Sequence, residues 1–273
     1  MIIPRAPQSH AAVADHYNEL DAVYRGLWGE HVHHGLWRRG DETQQQAVEA
    51  LSDLVGERLG FGAGDRLVDI GCGYGGTARR FGACGAQVTG FTLSAEQAAH
   101  SLHHAGVDLR VQDWLANGLP DASIDGAYAI ESSEHMTDKS AFFREARRAL
   151  RPGGRLVVCA WLAAERPRPW HVRHLLEPIC YEGRLPSMGS ESEYRAMAAQ
   201  AGLKLIGFED ISARVARTWT MCLRRFARAM ATDRVMRGFV LGARNRIFAL
   251  SVPRLILAYR TGAMRYGVFT FEA

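Results

Sequence analysis

Apolar positions along the chain follow two periods, and the change from one to the other divides it. Over 10–27 they fall at Val13, Tyr17, Leu20, Val23, Tyr24 and Leu27, and over 46–59 at Val48, Leu51, Leu54, Val55 and Leu59. Both spacings are those of a helix with one apolar face. From residue 66 short apolar runs take over, predicting strands at 66–71, 86–92, 108–112, 124–130 and 155–161, with helices at 76–83, 94–105 and 138–150 between them. Such alternation implies a doubly wound, mainly parallel α/β sheet with helices on both faces. After Trp161 the pattern loosens through an arginine- and proline-rich stretch, and 170–179 can be helical. Ser190 with Glu193 three residues on marks a helix over 190–201; 203–211 alternates as a strand, 214–260 is helix-rich, and 264–272 reads as the last strand. A single domain is expected: N-terminal helices (10–60), a core (65–161), substrate-side loops with a helical cap (163–262), and a closing strand (264–272).

The first predicted strand carries the densest chemistry. Leu67, Val68 and Ile70 surround Asp69 and run straight into Gly71, Gly73, Gly75 and Gly76. A buried strand thus ends in a loop whose backbone can approach a ligand closely before a helix starts near Thr77. Gly71, Gly73 and Gly76 also spell G-x-G-x-x-G, the pattern of a dinucleotide site. Two features oppose that reading. A pyrophosphate seeks bare amides and the positive end of a helix, whereas Asp69 places a carboxylate there, which suits a cation. A nicotinamide site also wants an acid about 20 residues further on, and the second strand ends instead in Thr92, Leu93 and Ser94.

Ligands of doubly wound sheets bind beyond the carboxyl ends of the strands, and two further clusters fall at such ends. Asp113 and Trp114 follow the third strand, where the aspartate can contact a ligand or only close a turn. Glu131 and His135 follow the fourth, as general-base chemistry needs; holding a substrate and orienting the N-terminal segment are the plainer roles. Ser94 and Gln97 have the spacing of a helix cap as well as of a site. His31, His33 and His34 invite a metal reading, but no acid or cysteine stands near in the way a zinc site needs, so no metal is expected.

Three stretches in order, Val-Asp-Ile-Gly-Cys-Gly-Tyr-Gly-Gly (68–76), Thr-Gly-Phe-Thr-Leu-Ser-Ala-Glu-Gln (89–97) and Leu-Arg-Pro-Gly-Gly-Arg-Leu (150–156), resemble the class I S-adenosylmethionine-dependent methyltransferases. The segment 24–37 and the run Glu-Ser-Ser-Glu-His-Met-Thr-Asp-Lys (131–139), with Trp161 beyond it, are similar to the gamma-tocopherol and sterol methyltransferase group. The resemblance implies a Rossmann-like fold and S-adenosyl-L-methionine as donor, leaving S-adenosyl-L-homocysteine. It implies that Asp69 lies near the methionine ammonium, with Gly71, Gly73 and Gly75 under the cofactor. His33, His34 and Gly35 would lie at the methionine end, Thr92, Leu93 and Gln97 at ribose and adenine, and Asp113 and Trp114 at the adenine, the indole adding a stacking face; Glu131 would complete the set. The likeness fades beyond Phe208. The carbonate-holding set of the cyclopropane synthases is not found in the C-terminal half, which disfavours that chemistry. A non-methylating cyclase or a cofactor-sensing protein on the same fold stays open.

Composition narrows the setting. At 273 residues, 47% apolar and 23% charged, the chain can bury a full core. Five cysteines without C-x-x-C spacing favour neither disulfides nor zinc, and with no signal-peptide pattern or long apolar run a cytoplasmic enzyme is expected. Net charge is only +4, yet eleven arginines fall between 214 and 260 against one acid, Asp233. They read as a solvated face, as a seat for an anionic acceptor, or as peripheral contact with acidic lipid. Nucleic acid is not expected, since no recognition module accompanies them. The expected partner is a hydrophobic or amphipathic small molecule, methylated on carbon, nitrogen or oxygen.

Overall fold

The structure, a computed structural model, describes residues 1–5, 8, 13, 15, 18, 29–101, 104–232, 234, 237–238 and 248–273, with 248–250 as backbone. The helix expected over 10–27 lies outside the described residues apart from isolated positions, and so do Asp233, Arg244 and Arg246 of the cap. Helix α1 (Gln44–Leu59) starts at a reciprocal cap: Thr43 Oγ1 accepts from the Gln46 amide, and the Gln46 side chain accepts from the Thr43 amide. Gly60, at φ 65°, ends it.

The expected alternation follows: β1 (Arg66–Ile70), α2 (Gly76–Ala83), β2 (Gln87–Thr92), α3 (Ala95–His100), β3 (Val107–Val111), β4 (Ile124–Ile130), α4 (Lys139–Ala149) and β5 (Leu150–Ala163). Helix α3 is shorter than 94–105. Strand β5 is longer than 155–161, because Leu150 already pairs with Ile124 and the strand stays paired with its antiparallel neighbour as far as Ala163. A helical run, α5, comes next in three parts, Pro169–His171, a π stretch Val172–Leu176, and Glu177–Glu182. Then come α6 (Glu191–Gln200), β6 (Lys204–Asp210), α7 (Ser212–Val215), α8 (Arg217–Thr232), α9 (Phe248–Arg260) and β7 (Met264–Glu272).

The seven strands form one sheet in the order β3-β2-β1-β4-β5-β7-β6, with β7 antiparallel to both neighbours. Alternate residues of each central strand point to opposite faces, and both faces are covered. Leu67 and Val157 pack with Leu51, Val55 and Phe81 under α1 and α2, whereas Val68, Ile70 and Val158 join Phe142, Phe143 and Tyr194 under α4 and α6. Such double burial explains the nearly unbroken apolar runs of β1, β4 and β5. A third cluster, with Leu176 and Ile179 of α5, Trp219 and Cys222 of α8, and Val252 and Leu255 of α9, is the core of the cap. The first five strands are parallel, so their carboxyl ends, and the loops leaving them, share one edge.

Part of the cap's positive charge is met by neighbouring groups. Arg214 pairs with Glu209, Arg254 with the buried Glu182, Arg217 donates to the Gly40 carbonyl and stacks on Trp37, and Arg225 donates to Gln44. Among the described residues no helix is long and apolar enough to cross a membrane.

Candidate active site

At the end of β1 the chain turns over Gly71, whose φ of 81° and close approach to Ser132 leave no room for a side chain; a Cβ there would sit 2.3 Å from that of Ser132. The loop forms the floor of a hollow of about 350 Å³ between Asp69, Gly71–Tyr74 and Thr77 on one side and Glu30, His31, Val32 and His33 on the other. Asp69 is buried, and burial pushes its carboxyl up to about 7, partly offset by the neighbouring Tyr128 hydroxyl. No cation pairs with Asp69 among the described residues. A ligand ammonium in this hollow would favour the ionised acid, so the donor set fits the amino-acid tail of the expected cofactor. His31 and His33 contact each other at 3.3 Å. Burial holds both rings below the usual imidazole range, His31 at about 3, so they roof the hollow as neutral groups.

Gly71, Gly73, Val32 and Ile130 also line a second, larger cleft of about 740 Å³. Its walls bring together the predicted Thr92, Leu93, Gln97, Asp113, Trp114, Glu131 and His135, and add Val13, Ser94, Gln112, Ser132 and Met136. The second strand's end does double duty. Ser94 Oγ accepts the Gln97 amide at 3.1 Å and caps α3, while Thr92 Oγ1 donates to Gln97 Oε1 at 3.1 Å and holds that side chain on the cleft wall. Asp113 caps the turn that follows β3 by accepting the Leu115 amide at 2.9 Å. The open stacking face expected of Trp114 is not there: the residue lines the cleft, but its indole is 2% exposed and edge-on to Phe91 in the core.

Glu131, after β4, has φ 54°, a conformation that costs a non-glycine residue on the order of 1–3 kcal/mol. The carboxylate holds it there. Oε1 accepts from the His34 amide (2.6 Å) and the Tyr266 hydroxyl (2.8 Å), while Oε2 is within bonding distance of His34 Nδ1 (2.9 Å) and accepts from Trp161 Nε1 (2.9 Å). Burial alone would raise this carboxyl, but the His34 contacts overcome it and hold it at about 2. That is a poor base. Glu131 as a proton acceptor is therefore set aside, because four donors already occupy its lone pairs. His34 turns with it into an aromatic box of Trp161, Trp219, Tyr259 and Tyr266. It lines neither hollow, and neither does Gly35, which packs against Ala47 and donates to Thr218 Oγ1 at 3.0 Å. Gly75 is likewise under the loop, not on it: it starts α2, and a Cβ there would strike Leu109.

His135 stays on the cleft wall. Burial, helped by the Lys139 charge, lowers it to about 4, so the ring is neutral near pH 7. Lys139, 3% exposed, donates to the Glu134 and Met136 carbonyls and to Ser187 Oγ, which fixes the 131–139 turn. Nothing local marked Lys139, Tyr259, Tyr266 or Thr218 in advance. Their roles arise only when the cap and β7 fold back on the core.

The family model for mycolic acid cyclopropane synthetase matches residues 5–239. The chain belongs to this family. Within it, the chain is 31% identical over 287 residues to the chloroplastic tocopherol O-methyltransferase of Arabidopsis thaliana, covering 95% of this chain and 81% of that one. It is 37% identical over 219 residues to the 27-O-demethylrifamycin SV methyltransferase of Amycolatopsis mediterranei (77% and 80% covered). Among solved structures, the (4+2) cyclase SpnF superposes with a TM-score of 0.80 at 28% identity, over 99% of this chain and 97% of that one. The expected fold, donor and reaction class stand: this is a Rossmann-like, S-adenosylmethionine-dependent methyltransferase of the kind that modifies small molecules.

Proposed function

We propose that the enzyme methylates a hydroxyl oxygen of a hydrophobic or amphipathic metabolite, with Asp69 seating the cofactor's ammonium and His135 taking the acceptor's proton. The observation that carries this is a buried, neutral imidazole on the wall of the cofactor cleft, next to a glutamate whose lone pairs are spoken for. The name of one relative, the 27-O-demethylrifamycin SV methyltransferase, agrees with an oxygen acceptor.

Bound in the cleft, the cofactor supplies a methyl group activated by a sulfonium. Asp69 and the glycine loop hold the tail, Thr92, Gln97 and Asp113 border the nucleoside, and His31 and His33 exclude water from above. Most of the acceleration comes from holding donor and acceptor in line, an effect of roughly 7–11 kcal/mol. With donor and acceptor so held, the methyl group would pass from the sulfonium, which keeps the electron pair of the broken carbon–sulfur bond, to the acceptor oxygen, and His135 would take the hydroxyl proton. Such a base contributes about 10² to 10⁴ in rate.

Incubation with labelled S-adenosylmethionine and a panel of phenolic and polyketide alcohols tests the reading. His135→Ala lowers kcat by about 10² to 10⁴ with S-adenosylhomocysteine affinity unchanged; an unaltered kcat removes His135 from the chemistry. The likeness to a cyclase favours a second reading in which the cofactor is only structural. Rearranged product of unchanged mass, without label, would establish it.

A further inference from the structure

The loop that leaves β5 enters α5 at the same edge of the sheet as the cofactor cleft, and the outer face of α5 is unlike an ordinary solvated helix face. Leu175, Leu176, Ile179 and Cys180 point inward into the cap core. Outward, at helical spacing, stand Trp170, Arg173, His174, Glu177 and Tyr181, with Trp170 51% and Tyr181 42% exposed. The Trp170 ring lies 5.5 Å from that of His174, and the Arg184 guanidinium sits 5.6 Å over Tyr181. Residues 1–5 run alongside. Ile2 pairs with Met188 and Arg5 meets Glu177 at 3.6 Å, with Ile3 between them 65% exposed; Arg5 also borders a groove of about 950 Å³ whose lining holds Arg173, His174 and Tyr181 together with Glu177 and Glu182. Of the acids in the region, Glu177 faces Arg5, Glu182 pairs with Arg254, and Glu165 accepts from Ser190 and Ser192. Arg166, Arg168 and Arg173 stay exposed.

We infer that this face of α5, with residues 1–5 beside it, is a docking surface for an anionic phospholipid bilayer. An amphipathic aromatic such as Trp or Tyr is favoured at the headgroup level, where its ring is half apolar and half wet. Arginines interleaved with it meet lipid phosphates, each worth about 1 kcal/mol near a charged surface. A stretch rich in arginine on the side of the helix that also carries tryptophan has the composition of an interfacial element. Because α5 follows β5 on the side of the sheet that holds the cleft, docking there would bring the site toward a bilayer that stores a greasy acceptor, so the inference deepens the proposed function without depending on the base.

The test is sedimentation of the full chain with vesicles of phosphatidylcholine alone and of phosphatidylcholine mixed with phosphatidylglycerol. Binding to the mixed vesicles, weak on the neutral ones and falling with salt, is expected. Arg166→Ala with Arg173→Ala lowers the partition coefficient by about thirtyfold, the product of about fivefold for each arginine. Trp170→Ser with Tyr181→Ser lowers it further, while Arg224→Ala with Arg228→Ala, on exposed positions of α8, leaves it unchanged. All these side chains are exposed, so thermal melting and S-adenosylhomocysteine affinity stay at the wild-type level and report folding and donor binding separately. Equal binding to both vesicles, wild-type binding by the α5 variants, loss confined to the α8 variant, or Trp170 buried by self-association without lipid would each overturn the assignment.

Discussion

Asp69 and Glu131 leave neighbouring parallel strands at the same edge of the sheet, both buried, and the molecule treats them in opposite ways. Glu131 is saturated: donors from His34, Trp161 and Tyr266 reach its two oxygens and hold it ionised, at about 2. Asp69 is left short of charge, burial lifts it to about 7, and the hollow in front of it is floored by bare glycine backbone. A buried acid joined to the scaffold on every side is architecture, whereas Asp69 has no cation beside it among the described residues and faces a hollow. His135, on the wall of the same cleft as Glu131, is a third buried group, kept neutral near pH 7.

The comparison can be broken at either acid. The largest effect belongs to Glu131→Leu, which strands the His34, Trp161 and Tyr266 donors in the interior. Thermal or denaturant unfolding then shows a loss of about 3–5 kcal/mol, the cost of orphaning one side of a buried network; a loss below about 1 kcal/mol would mean that the box is not what holds cap to core. Next comes Asp69→Asn. Titration calorimetry shows S-adenosylhomocysteine affinity reduced about a hundredfold, since about 2–3 kcal/mol of charge-assisted bonding is lost. Stability is expected to hold or rise, because a desolvated acid has gone. Smallest is Tyr266→Phe, which removes one of the donors to Glu131 and costs about 1.5 kcal/mol of unfolding free energy with cofactor affinity unaltered.

Acid sharpens the contrast further. His31 and His135 are lowered in the folded chain, to about 3 and about 4, so between those values and their ordinary range near 6.5 the unfolded chain binds more protons. Stability from this source is present near neutrality and is lost as pH falls through that window. Asp69 and Glu134, raised to about 7, act in the opposite sense: the folded chain binds the extra protons, and their destabilising contribution grows as pH rises toward 7.

The same two regions show what could be read in advance. Everything around Asp69 is local: an apolar strand, an acid and glycines lie within a dozen residues, so alternation and turn chemistry suffice to place β1, the loop and the start of α2. The Thr92–Gln97 pair and Asp113 are equally local, since each lies at the end of a strand whose apolar run predicts it. The box around Glu131 is not. It draws His34, Trp161, Trp219, and Tyr259 with Tyr266 from four distant stretches, and neither propensity nor period reports which aromatic residues meet. The burial of the Trp114 indole and the inward packing of Gly35 have a related reason. A residue next to a ligand-facing one in sequence can still be claimed by the core, as Phe91 and Ala47 claim these two. The arginines of the cap read as excess charge along the sequence, but Glu209 and Glu182, which offset part of it, come from β6 and α5.

The most direct measurement of the central claim is the proton released when S-adenosylhomocysteine binds, obtained by calorimetry at about pH 6 in two buffers of different ionisation heat. With Asp69 mostly protonated before binding and ionised after it, the wild type releases close to one proton, and its affinity is about tenfold weaker than at about pH 8. Asp69→Asn releases none and loses the pH dependence. Identical proton release by the variant, or wild-type affinity that does not change with pH, would contradict the account of Asp69 as the cofactor's cation seat.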